Sequence, residues 1–66
     1  MTERTYQYSE LRACALRELR MRVRVYPHWI DSGKISKRLA DEEISKMQAI
    51  SEHFAALVAK EEKNLL

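Results

Sequence analysis

The side chains able to do acid–base, nucleophilic or metal chemistry are few. His28, His53 and the single cysteine, Cys14, are spread over a chain of 66 residues. A catalytic nucleophile needs a base within hydrogen-bonding reach, and a structural zinc site needs a closed set of Cys and His ligands. Neither spacing is present. A di-iron carboxylate site on a helical bundle needs Glu-x-x-His on facing helices, and no glutamate here is followed three residues later by histidine. Without a concave pocket to exclude water and converge polar groups, the expectation is no enzyme, no cofactor and no metal. Cys14 is expected to act as a small buried hydrophobe at the edge of an apolar face.

The remaining candidates concern binding. Arg17, Arg20 and Arg24 recur at intervals of three and four, which places them on one face of a helix. Such a face suits an acidic protein surface or a phosphate backbone, and a merely solvated face is the competing reading. The run Tyr26-Pro27-His28-Trp29 has the most unusual local composition of the chain. Aromatic residues anchor protein interfaces, so Tyr26, His28 and Trp29 are candidates for a docked partner. The alternative is that Tyr26 and Trp29 plug the open end of a helical pair.

The charge balance favours the first half. Six arginines face three glutamates before Pro27, giving +3, whereas six Lys/Arg face seven acids from Pro27 onward, giving −1. The net charge of +2 with 33% charged residues fits salt-bridged helices and is too small to imply nucleic-acid binding from the total alone.

These side chains must be positioned by two helices. Tyr8, Leu11, Ala15, Leu19, Val23, Tyr26 and Ile30 repeat every three or four residues, predicting a helix from about 6 to 31 whose apolar stripe faces a partner helix. Arg12 and Arg22 flank that stripe, with their stems over it and their heads in water. Pro27 removes a helical hydrogen bond and crowds the preceding turn, so a kink or break is expected there. Gly33 supplies the left-handed residue that commonly closes a helix, and a turn at about 32–36 follows. Ser36 is the expected N-cap of the next helix, with Ile35 and Ala40 placed as a hydrophobic staple.

The second helix, about 37–63, contains neither Gly nor Pro. Ala40, Met47, Phe54 and Glu61 repeat every seven residues, with Ile44, Ile50, Leu57 and Val58 between them, as in a coiled-coil seam. Lys37 with Asp41, Arg38 with Glu42, and Glu42 with Lys46 have the spacing of surface ion pairs. Residues 1–5 show no apolar periodicity and are expected to fray.

The fold class is therefore all-α: one domain over residues 1–66, an antiparallel hairpin of two long helices. Apolar residues exceed one seam, with Leu16, Met21 and Val25 on the first helix and Ala49, Ala56 and Leu66 on the second. A chain this short buries little surface alone, so a homo-oligomer is expected, with two hairpins joined in a four-helix bundle. Leu11, Ala15, Leu19, Val23, Met47, Ile50, Phe54 and Leu57 are the candidate core and oligomer residues. The lone cysteine and the polar start MTERTYQYSE argue for a reducing cytoplasm. Apolar runs fall far short of the ~20 residues that span a bilayer.

The segment Leu16 to Ser36, LRELRMRVRVYPHWIDSGKIS, followed by Ala40, Glu43-Ile44, Met47 and Ala49-Ile50, resembles a group of small uncharacterised accessory proteins of temperate, lambdoid bacteriophages. These are encoded in the early region between the exonuclease and excisionase genes. The resemblance covers about Glu10 to His53. It implies an early phage protein in the bacterial host cytoplasm, connected with the choice between lysis and lysogeny or with host physiology, and it brings no catalytic residues. The functional expectation is a small regulator acting through protein–protein interaction with a host or phage protein. The alternative is a nucleic-acid-binding regulator that uses the arginine face of the first helix.

Overall fold

The computed structural model describes residues 5–64, so the expected fraying of the first residues and the contribution of Leu66 lie outside it wholly or in part. Two helices account for nearly all of it: α1 spans Tyr8–Asp31 and α2 spans Lys37–Asn64. They pack against each other as a hairpin. Tyr8, at the start of α1, lies with its ring 6.3 Å from that of Phe54 in the second half of α2. The chain directions are therefore antiparallel.

The start of α1 is weakly signalled, because Gln7 occupies the N-cap without a side-chain bond to the helix. Its end is strongly built. Gly33 has φ of 78°, a conformation that costs a residue with a Cβ about 1–2 kcal/mol. The Lys34 amide donates to the Trp29 carbonyl at 2.9 Å and the Gly33 amide to the Ile30 carbonyl at 3.1 Å. This pair of reversed bonds is a Schellman closure, which satisfies carbonyls that the helix end leaves open.

Pro27 lies inside α1 and does not end it. Proline has no amide to offer the carbonyl of Val23, four residues back. Both residues are exposed, so water can take the place of the missing donor. The helix therefore runs through Pro27 with the bond to the Val23 carbonyl lost at an exposed position.

Ser36 caps α2 as the sequence predicts, its Oγ accepting from the Leu39 amide at 3.1 Å. Ser36→Ala is expected to cost about 1 kcal/mol, readable as a lower urea midpoint with an unchanged slope. Of the three expected surface pairs, Lys37 and Asp41 meet at 2.9 Å. Lys46 instead approaches Glu43 at 3.8 Å, one residue nearer, and neither pair involving Glu42 forms among the described residues.

The interior of the hairpin is narrow. Ala15, Tyr26, Ala40 and Ser51 are its buried residues, and no large side chain is fully enclosed. Their placement follows from the bend. Tyr26 and Ala40 each lie seven residues from Gly33, and Ala15 and Ser51 each lie eighteen from it. Counted from the bend, a large buried residue thus stands at the same step as a small one, and two small ones stand together at another. Small residues let helices approach closely, and pairing large with small fills the gap without voids. The Ser51 hydroxyl, buried at its level, donates to the Gln48 carbonyl at 2.9 Å, so its burial leaves no donor unpaired.

Two expected core residues fall outside this seam. Val23 is 54% exposed and Ile50 is 43% exposed. At about 100° per residue, each step of four advances around a helix by about 40°. The steps from Ala15 to Leu19 to Val23 accumulate about 80°, which carries Val23 off the seam. Ile50 is displaced the other way, because Ser51 holds the central place. Leu11, Leu19, Met47, Phe54 and Leu57 are half-buried. Cys14 is exposed rather than buried, since it lies about 100° from Ala15 on the same helix.

Candidate interaction surface

The arginine face is a property of α1 alone. Arg17, Arg20 and Arg24 point away from the seam and, with Met21, line one shallow groove. From first to last they cover about 10 Å along the helix axis. None of the three pairs with an acid among the described residues. Their positive charge is therefore not cancelled by contact within the hairpin and is available to a partner.

Arg22 behaves differently from the expected flanking residue. It lies seven residues after buried Ala15 and four before buried Tyr26, and its side chain is only 22% exposed. One guanidinium nitrogen, Nη1, donates to Glu18 Oε2 at 3.2 Å. The Nε atom is buried with no hydrogen-bond partner. The seam thus contains one polar group whose desolvation is only partly offset. The seven-residue series Tyr8, Ala15, Arg22 and Trp29 carries the signal for this position, while reading only apolar residues passes over it.

The aromatic bend divides into two roles. Tyr26 is 8% exposed, so it belongs to the hairpin interior and is withdrawn from the set of docking residues. Its ring lies 5.5 Å from that of Trp29 at a tilt of 31°. Aromatic pairs at this separation contribute about 0.5–1.5 kcal/mol beyond their burial. Trp29 remains partly open and His28 is exposed, leaving these two side chains at the bend accessible to another molecule.

The histidines do not converge. His28 is in the last turn of α1, whereas His53 stacks edge-on against Phe54 at 5.5 Å. Among the described residues no group of three or more His, Cys, Asp and Glu side chains is placed to hold a metal ion. No described helix is long and apolar enough to cross a membrane. No protein-family model, curated protein or solved structure matches the chain.

Proposed function

We propose that this chain is a protein-interaction module: a helical hairpin that self-associates and acts by occupying a surface on another protein. The observation that carries this reading is how little the hairpin encloses. Its accessible surface is 5728 Å², whereas a compact monomer of 7.8 kDa exposes about 4,400 Å². Its Cα radius of gyration, 15.3 Å, likewise exceeds the roughly 11 Å of a compact 66-residue domain. Two helices in one layer have only one face each to bury, and stable domains use at least two packed layers. Contact with further protein supplies the missing layer.

The resemblance to lambdoid phage accessory proteins supports a regulatory role in phage development or host physiology, exercised in the host cytoplasm. In this role the module works sterically. It needs no reacting group, only a surface that competes for a site on its target.

A second reading is favoured by the unpaired ridge of Arg17, Arg20 and Arg24. On this reading the chain is a regulator that lays α1 along a nucleic-acid backbone. Sedimentation equilibrium at low and moderate salt, with and without a short mixed-sequence duplex, separates the two. An assembly that is insensitive to salt and ignores the duplex is the expected result. A monomer that binds the duplex at low salt, releases it steeply as salt rises and loses it when the three arginines become alanine overturns the protein-interaction reading.

A further inference from the structure

We infer that a second copy of this chain docks on one particular face of the hairpin, the one bearing Leu11, Val25 and Trp29 from α1 with Leu39, Ile50 and Leu57 from α2. This rests on the reading of the chain as a self-associating module and adds which surface does it.

The two broad faces flanking the seam are unequal. At about 100° per residue, Leu11, Val25 and Trp29 fall to one side of the Ala15 direction, and Leu16, Val23 and Ile30 fall to the other. On α2, Leu39, Ile50 and Leu57 fall to one side of Ala40, whereas Asp41, Gln48 and Glu62 fall to the other. In an antiparallel pair, flanks of the same sense lie on the same side of the seam. The first face therefore carries large apolar residues on both helices, with Glu43, Lys46 and Glu61 among them on α2, whereas on the opposite face α1 is apolar and α2 sets Asp41, Gln48 and Glu62 beside Ile44, Ala55 and Ala59. Leu39, Ile50 and Trp29, three of the large hydrophobic residues that the hairpin leaves exposed, all lie on the first.

The charges on that face suit a second copy as its occupant: with Glu61 they are three acids and two bases. Glu18 and Arg22 are joined at 3.2 Å, and Glu43 and Lys46 approach at 3.8 Å. The face therefore carries both signs and is close to neutral. A two-fold contact sets a surface against itself, which a balanced face tolerates and the arginine ridge does not, since like charges would meet.

The surface of one hairpin sets the area that a dimer of ordinary compactness has to bury. Two separate hairpins expose about 11,500 Å², twice the 5728 Å² of one, and a compact protein of twice the mass exposes about 7,250 Å². The difference, about 4,200 Å², lies within the range of obligate homodimers. The resulting four-helix bundle leaves Arg17, Arg20 and Arg24 of each copy on the outside.

The test is sedimentation equilibrium of the full chain over about a hundredfold range of concentration, for the wild type, Ile50→Glu and Val23→Glu. The expected result is a wild-type dimer, a dissociation constant raised at least about 100-fold by Ile50→Glu, and a change within about threefold for Val23→Glu. A dimer that Val23→Glu breaks and Ile50→Glu leaves intact overturns the face while the self-associating module stands. A wild-type chain that stays monomeric throughout removes the module itself. Should Ile50→Glu fail to fold, methyl signals of the wild type with a soluble paramagnet decide the matter. Ile50, Leu39 and Leu57 must become protected as concentration rises while Val23 stays open, and the reverse pattern overturns the proposal.

Discussion

Tyr26→Ala is expected to destabilise the fold by about 3–4 kcal/mol, near the usual range for removing a buried aromatic ring. Tyr26 is the one large side chain among the buried residues. The other buried residues, Ala15, Ala40 and Ser51, are small and have little side-chain volume with which to fill the space left behind. The helices cannot collapse there without bending, because the bend only seven residues away is fixed by its reversed hydrogen bonds. The stacking contact with Trp29 at 5.5 Å is lost at the same time. A hairpin of this size has only a few kcal/mol to lose, so far-ultraviolet circular dichroism should show most of the helix gone at room temperature. Tyr26→Phe is the control. The Tyr26 hydroxyl has no hydrogen-bond partner among the described residues, so removing it should change stability by less than about 0.5 kcal/mol.

Arg22→Leu is expected to act in the opposite direction, stabilising the protein by about 1–2 kcal/mol. Its guanidinium is held at one nitrogen by Glu18 while Nε is buried without a partner. Removing one partner of a buried ion pair is normally costly because it leaves the other charge buried, but Glu18 is 48% exposed and stays hydrated, so an apolar side chain of comparable volume at position 22 removes the desolvation cost without leaving a buried charge behind. Leucine is also a better match to a seam position between Ala15 and Tyr26. The measurement is the midpoint of urea denaturation at fixed protein concentration, compared with the wild type. A lower midpoint would mean that the Glu18 pair contributes more than burial costs. Glu18→Gln would then reproduce the loss.

Much of the architecture is legible in the residues. The two helices, the left-handed glycine, the capping serine and the Lys37–Asp41 pair all follow from local rules, because each depends on atoms close along the chain. Helix boundaries depend on such atoms too, apart from the start of α1, where no capping side chain marks the place. What local rules miss is the direction of the seam. Val23 and Ile50 look like core because they are apolar, yet the seam at those heights is built from Arg22 and Ser51, which are polar. Two helices can meet closely only where side chains are small or flexible, and that requirement selects Ala15, Ala40 and Ser51 over larger neighbours. Tyr26 shows the same limit in reverse: an aromatic residue beside a proline reads as an interface anchor until its ring is seen to be buried in the hairpin. The arginine face needed no tertiary information, since it depends only on spacing along a single helix.

The equal counting of residues on either side of Gly33 has a kinetic consequence. Counted outward from the bend, the two helices offer residues for the seam in step, Tyr26 and Ala40 nearest the turn and Ala15 and Ser51 farther out. Each step shortens the loop that the next must close, so the hairpin can zip from one end. Chains whose contacts are mostly local fold in microseconds to milliseconds. Joining two hairpins, in contrast, waits on diffusion and on concentration. In the dimer proposed above, that second step is bimolecular, so its rate rises with the square of the concentration of free hairpin, whereas the folding of each hairpin does not depend on concentration.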